Sequence, residues 1–301
     1  MSAKSGGLGG FDLSGVIPPV VTAFDDDGDV DPAATAAHAA FVLDEGADAV
    51  FPLGTNGEFP LLTATERRRI VEAVTDAVDA PVIAGVGEAS TKATVANAEH
   101  AANIGVDGVV VVTPYYYPVD ETALVDHYEA VADAVDVPVY AYNIPSRTGN
   151  DIPLSALNRL AEIDGFAGFK DSSKDVPWLA QARDSHPDLT ALVGSDSLLV
   201  AGLQLGCDGV VSAIANVFPE LIADLVAAHE AGDVERAREI QSTVFDVRTA
   251  LKRGPYMAGV KTALSLRDLD FEVGGLRAPL RTMDEDGRRR LEAELTDIGV
   301  L

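Results

Sequence analysis

The same short punctuation occurs three times in this chain, as Gly46-Ala-Asp48-Ala-Val, Gly105-Val-Asp107-Gly-Val and Gly206-Cys-Asp208-Gly-Val. Each is a glycine suited to ending a helix in the left-handed conformation, one spacer, an aspartate and the start of an apolar strand. A second pair, Asp76-Ala-Val-Asp79-Ala-Pro81-Val and Asp133-Ala-Val-Asp136-Val-Pro138-Val, repeats the helix-to-strand turn. A chain that leaves helix for strand again and again by one device is an alternating α/β chain. Short β-branched runs at residues 16–22, 49–53, 82–85, 108–112, 139–142, 166–170, 190–194 and 209–212 supply the strands. They are nearly continuous in apolar residues, as in a parallel sheet covered on both faces. Amphipathic segments near 32–45, 64–79, 91–104, 121–135, 154–163, 175–185, 196–205 and 219–231 follow them one for one. Thr63-Ala-Thr-Glu66 reads as a capping box, and Ser90 and Ser195 as N-caps.

Eight such units predict a (β/α)8 barrel. An open doubly wound sheet fits less well, because no Gly-x-Gly-x-x-Gly follows the first strand. Residues 1–10, rich in Gly and Ser, are expected to form a disordered tail, with the barrel over 11–231. Three further helices near 233–252, 256–266 and 285–297 make residues 232–301 a helical extension packed on the barrel within the same domain.

Composition narrows the function classes. The net charge of -26 and pI near 4.3 argue against nucleic acid, which needs clustered Lys and Arg. Acidity spread over helix faces with scarce lysine is the pattern of halophilic proteins from salt-loaded cytoplasm, where carboxylates keep the surface hydrated. No apolar run approaches a membrane span and the first ten residues lack a signal-peptide core, so a cytoplasmic protein with no membrane partner is expected. Cys207 is the only cysteine, which excludes an internal disulfide and a cysteine-based zinc cluster.

In a barrel of this class the chemistry sits at the C-terminal ends of the strands. Lys170 closes the run Gly165-Phe-Ala-Gly-Phe169-Lys170 and is the one lysine of six in a strand. Taken alone, a strand-end lysine can equally pack its stem and send its charge to solvent. A buried amine, by contrast, loses the water that favours its cation and becomes nucleophilic near neutral pH. The other strand ends carry Gly54-Thr55-Asn56-Gly57-Glu58, Thr113-Pro-Tyr115-Tyr116-Tyr117-Pro118 and Tyr142-Asn-Ile-Pro-Ser-Arg147-Thr-Gly149. A lysine, tyrosines, a threonine and an arginine on one rim suit imine chemistry. The amine attacks a keto carbon, a phenol moves protons, and a Gly-Thr-Asn-Gly turn offers N–H groups to a carboxylate.

The order of Gly54-Thr55-Asn56-Gly57-Glu58, Tyr115-Tyr116, Tyr142-Asn143-Ile144-Pro145 and Gly168-Phe169-Lys170 resembles the pyruvate-dependent class I aldolase and lyase family. That family includes dihydrodipicolinate synthase, N-acetylneuraminate lyase and 2-keto-3-deoxygluconate aldolase, and the likeness runs from Gly15 to the C-terminus. The resemblance implies a Schiff base between Lys170 and pyruvate or a 2-keto acid, with Tyr142 as acid and base and Thr55 relaying protons to Tyr116. It implies that Gly54, Thr55 and Asn56 bind the keto-acid carboxylate, that Tyr115 lines the substrate site, and that Arg147 grips an anionic group on the aldehyde half. In dihydrodipicolinate synthases the tyrosine matching the Tyr115-Tyr116 pair comes from a neighbouring subunit, so a homotetramer built as a dimer of dimers is implied.

Three departures tilt the substrate away from aspartate semialdehyde. Asn56 stands where a second threonine is expected, Asp171-Ser172-Ser173 follows the lysine, and Tyr115-Tyr-Tyr117-Pro118 resembles archaeal sugar-acid aldolases. The reading is an aldolase for 2-keto-3-deoxygluconate or its 6-phosphate, with 4-hydroxy-tetrahydrodipicolinate synthase as the alternative. A non-catalytic barrel serving as sensor or scaffold is the alternative of another class.

No metal or other cofactor is expected, since His38, His100, His127, His186 and His229 all fall in helical segments or just after one, where surface positions are the expectation. Glu58 reads either as an acid catalyst or as a hydrogen-bonding residue. Gly85-Val-Gly87-Glu-Ala-Ser90-Thr91 reads more readily as a tight turn than as a phosphate cradle.

Overall fold

The computed structural model describes residues 13–301, and the expected tail at residues 1–10 lies outside the described residues. In chain order the elements are β1 (Gly15–Val16), α1 (Pro32–Asp44), α2 (Ala64–Ala77), β2 (Ile83–Gly85), α3 (Thr91–Ile104), β3 (Gly108–Val112) and α4 (Glu121–Ala132). Then come β4 (Val139–Asn143), α5 (Pro145–Thr148), α6 (Leu154–Leu160), β5 (Phe166–Asp171), α7 (Val176–Ser185), β6 (Thr190–Val193), α8 (Leu199–Gln204) and β7 (Gly209–Val210). Four helices finish the chain: α9 (Pro219–Glu230), α10 (Val234–Leu251), α11 (Tyr256–Leu264) and α12 (Glu285–Ile298). Every strand is followed by at least one helix, as in the (β/α)8 class, although seven regular strands stand among the described residues where eight are expected, and α1 runs to α2 without one between them. The helical extension comes after. The described residues form two compact units, one of Pro81–Val210 with Leu13 and Ser14, the other of Gly15–Ala80 with Val211–Leu301.

In the first unit β2 to β7 pair in parallel, each with its neighbour in sequence. The rungs that matter below are Tyr142↔Lys170, Asn143↔Asp171 and Asp171↔Val193. Val109, Val111, Ala141, Phe169 and Ala191 on one face and Val110, Tyr140, Tyr142 and Leu192 on the other are all buried, so the continuous apolar runs do mark a sheet covered on both faces.

In the second unit the expected strands at 16–22 and 49–53 are shorter than anticipated. Val16 O accepts from Asp48 N at 2.9 Å and Pro18 O from Phe51 N at 3.0 Å, which are parallel rungs. Pro18 and Pro19 have no N–H to extend the ladder, and Leu53 leaves extended geometry with φ 60. Only Gly15–Val16 and the bridge residue Val50 remain regular.

The thrice-repeated aspartate has a structural explanation. Asp48, Asp107 and Asp208 each donate a backbone N–H to the carbonyl of Val16, Val82 and Ala191, at 2.9, 2.9 and 2.8 Å. Each carboxylate then turns back and accepts the N–H of that same residue, at 2.7, 2.8 and 2.9 Å. The aspartate clips the start of one strand to the one before it. Gly46, Gly105 and Gly206, with φ 104, 100 and 86, release the preceding helix two residues earlier.

Two expectations are corrected. His38 and His127 are not surface residues; both are buried. On α1 the buried face is Thr35, His38, Ala39 and Val42, and on α4 it is Leu124, His127, Tyr128 and Val131, so each histidine sits at i+3 within the inward stripe. The helix near 196–205 opens as a 3-10 turn, Asp196–Leu198, and becomes α-helical only at α8. No helix among the described residues is long and apolar enough to cross a membrane.

Candidate active site

Lys170 and Tyr142 occupy facing positions on β5 and β4. On β5, Phe169 packs edge-on against Trp178 of α7, with ring centroids 5.4 Å apart. Alternation therefore turns Lys170 to the opposite face of the sheet, the one Tyr142 shares. The lysine is 4 % exposed, and its Nζ lies 3.8 Å from the centroid of the Tyr142 ring. The two side chains also share a hydrogen bond. Burial drives the Lys170 pKa below the ordinary amine range, while Tyr142, Asp196 and Asp171 pull it part of the way back. The product is an amine with a larger neutral fraction, seated against a phenol that can take or give a proton.

One rung further along, Asn143 Nδ2 donates to Asp171 Oδ1 at 2.8 Å, and Asn143 Oδ1 accepts from Ile152 N at 3.2 Å. Ser173 adds its N–H and hydroxyl to the same carboxylate, at 3.3 and 3.0 Å. Burial pushes the Asp171 carboxyl above its ordinary range, and the Ser173 and Asn143 bonds oppose that. Opposite, Gly194 N donates to Asp171 O at 2.7 Å, and Gly194 O accepts from Ser172 Oγ at 2.9 Å. An added Cβ on Gly194 would stand 2.8 Å from Lys170 Cε and 2.9 Å from Asp171 O. Asn143, Asp171, Gly194 and the buried Asp196 were missed as site residues in the sequence. The signal available for them was their position on or just past a strand end beside the lysine strand.

The loops after β3 and β4 are stitched together. Asn150 Nδ2 donates to both Pro114 O and Tyr117 O at 2.8 Å, and Asn150 Oδ1 accepts from Val119 N at 3.0 Å. Beneath it, Thr113 Oγ1 donates to Thr148 Oγ1 at 2.8 Å. This frame holds Tyr116 with φ 79 and 83 % exposed, its ring edge-on to that of Tyr117. Tyr115 is half-buried, and its hydroxyl donates to Glu88 Oε2 at 2.8 Å. That carboxylate makes the turn after β2 a poor phosphate cradle. Arg147 lies on α5, a single turn opened by Pro145, and is exposed.

Gly54, Thr55 and Asn56 belong to the second unit, where Thr55–Gly57 is one 3-10 turn. Asn56 is buried, and its Nδ2 has no hydrogen-bond partner among the described residues, a donor suited to a carboxylate. Glu58, which closes the turn, ion-pairs with Lys261 of α11 at 3.0 Å. Lys261 is thus a second buried amine. Burial takes it down to about 8 while Glu58 holds it up, and helical spacing concealed its depth in the sequence.

A family model described as the dihydrodipicolinate synthetase family matches residues 12–298. A DapA-like lyase of Halobacterium salinarum, itself uncharacterised, is 64% identical over 291 residues, covering 96% of this chain and 95% of its own. A 4-hydroxy-tetrahydrodipicolinate synthase of Methanosarcina barkeri is 34% identical, covering 96% and 99%. Among solved structures, the E. coli K12 prophage protein YagE, of the dihydrodipicolinic acid synthase family and in complex with pyruvate, superposes with a TM-score of 0.91 at 33% identity, covering 96% and 99%. KD(P)GA from T. tenax does so with a TM-score of 0.88 at 30% identity, covering 95% and 99%.

Proposed function

The chain belongs to the dihydrodipicolinate synthetase family, and on that premise we propose that it is a pyruvate-dependent carbon–carbon lyase working through a Schiff base on Lys170. The observation that carries this is the buried, pKa-lowered Lys170 amine in register with Tyr142 and hydrogen-bonded to it. The neutral amine adds to the keto carbon of pyruvate, and Tyr142 protonates the departing hydroxyl so that water leaves and a protonated imine remains. Loss of a proton from the adjacent methyl gives an enamine, whose carbon attacks an aldehyde. Water then releases the new 2-keto acid and restores the amine. Cleavage runs the same steps in reverse.

The remaining roles follow the family resemblance. Thr55 and Asn56, on the turn begun by Gly54, hold the keto-acid carboxylate. Thr55 passes protons to Tyr116 of a neighbouring copy in a homotetramer, a role the outward Tyr116 suits. Tyr115 lines the site from its bond to Glu88, and Arg147 meets a carboxylate or phosphate on the aldehyde half.

For the substrate we favour a 2-keto-3-deoxy sugar acid, 2-keto-3-deoxygluconate or its 6-phosphate. Asp171-Ser172-Ser173 after the lysine, the Tyr115-Tyr-Tyr117-Pro118 loop and the likeness to KD(P)GA from T. tenax support it. Arg147 and the 4-hydroxy-tetrahydrodipicolinate synthase relatives favour the second reading, aspartate semialdehyde as the aldehyde.

Borohydride added with pyruvate tests the mechanism: mass spectrometry should find reduced pyruvate on Lys170 and none on the Lys170→Ala protein. An unmodified Lys170 would sink the enzyme reading and leave the sensor or scaffold. Product identification with glyceraldehyde, glyceraldehyde 3-phosphate or aspartate semialdehyde then separates the two substrates.

A further inference from the structure

We propose that the buried Glu58–Lys261 ion pair, completed by the backbone N–H of Arg277, is a positioning device that holds the Gly54–Gly57 turn in its ligand-binding shape. The turn is bracketed by two non-glycine residues in the left-handed region, Leu53 with φ 60 and Glu58 with φ 55. Side chains disfavour that region by about 1 kcal/mol or more per residue, so the chain holds it only where something outside the turn fixes it.

Glu58 supplies that fixture. Its side chain is fully buried, one oxygen lies 3.0 Å from Lys261 Nζ, and the other accepts Arg277 N at 3.0 Å. Both partners are anchored in their turn. Lys261 sits on α11, donates to Gly275 O at 2.5 Å and rests 4.4 Å from the centroid of the Phe24 ring. The Arg277 guanidinium pairs with Glu66 of α2 at 2.6 Å, bonds to Gly28 O and lies 4.7 Å from the centroid of the same Phe24 ring.

The turn's own bonds, Gly57 N to Gly54 O and Glu58 N to Thr55 O, together with Thr22 Oγ1 to Gly57 O, fix its curvature. They do not fix where it is anchored. A buried ion pair gives little net stability over a packed apolar pair of the same volume. Its distinguishing property is geometric, since a carboxylate with one oxygen hydrogen-bonded to a backbone N–H and the other set against a buried ammonium is held in direction from two sides. The direction of Glu58 sets its φ, and that sets where the unpartnered Asn56 amide is aimed.

This inference rests on the reading of the turn as the holder of the keto-acid carboxylate. It is tested with Lys261→Met, Glu58→Gln and the double variant, by the pyruvate concentration that half-saturates borohydride trapping and by amide exchange over residues 54–58. Glu58→Gln leaves one acceptor for two donors. Each single variant should raise the half-saturating pyruvate about tenfold, leave adduct yield at saturation within about twofold, and speed exchange in the turn. The double variant should regain thermal stability, because no buried charge is stranded, without regaining pyruvate affinity. If the folded variants saturate at the wild-type pyruvate concentration, or the double variant recovers affinity along with stability, the ion pair is structural only and the inference is overturned. If the wild-type protein forms no adduct at all, the functional reading falls first and takes this inference with it.

Discussion

Two amines in this chain are equally buried and are held in opposite ways. Lys261 faces a carboxylate at 3.0 Å that uses its charge, whereas Lys170 faces a phenol ring and a phenol hydroxyl. Lys170 stands out in the sequence only through its company, the tyrosines, threonine and arginine on the other strand ends, and its burial matches one of the two readings open to a strand-end lysine. Lys261 does not stand out, because helical spacing does not distinguish an inward lysine from one whose stem snorkels. The residues that seat Lys170 were hidden for a further reason. Asn143, Asp171 and Gly194 act across the strands, and the register that brings them together does not follow from any one segment. Gly194 gives the sharpest residue-scale prediction. In Gly194→Ala the new methyl meets the Ser172 hydroxyl most closely, then the Lys170 stem at 2.8 Å and the Asp171 carbonyl at 2.9 Å, and the two side chains, unlike the carbonyl, are free to move. The protein should fold, while pyruvate trapping at Lys170 slows by about a hundredfold, as for a reacting atom displaced by about 1 Å. Stopped trapping time courses measure it, and a wild-type rate would show that Lys170 does not need the space.

At the scale of elements, helices were read to within a few residues because apolar stripes and caps are local, as with Ser90 capping α3 and the Thr63–Glu66 box opening α2. Strands were read less well where the backbone itself interfered, through Pro18-Pro19 in the first and the left-handed Leu53 after the second. The single turn α5 was missed because four residues carry no period. The repeated aspartate was legible as punctuation, but its bond was not. In Asp107→Ala the Val82 N–H, part-buried, loses its acceptor, and the protein should be destabilised by about 1–3 kcal/mol. Asp107→Asn keeps an acceptor oxygen and should cost less than half as much. Denaturant titration of the pair checks this, and equal losses would mean that the carboxylate acts through its charge and not as a clip.

For the whole molecule the decisive groups are the two inward histidines, one in each unit. Burial lowers both His38 and His127 from 6.5 to about 4. A depressed folded pKa means that the unfolded chain takes the proton first on acidification. The stability that rests on these neutral rings is therefore complete above about pH 6.5 and is lost as pH falls towards 4, on the order of 3 kcal/mol each. Asp171, pushed upward by burial, takes its proton early in the folded chain and offsets part of that loss. The surface works in the same direction as Asp171. With 48 acidic against 22 basic side chains, lowering the pH relieves self-repulsion. Salt separates the two effects, because at about 1 M the screening length is roughly 3 Å and exposed charges cease to interact while buried rings are hardly screened. In dilute buffer the thermal midpoint should change little between pH 7 and pH 5. In about 1 M salt it should be higher at pH 7 and fall clearly by pH 5, and replacing either histidine with glutamine should remove about half of that fall. A midpoint that stays level in high salt would assign the acid response to the carboxylate surface, leaving the buried histidines without a part in it.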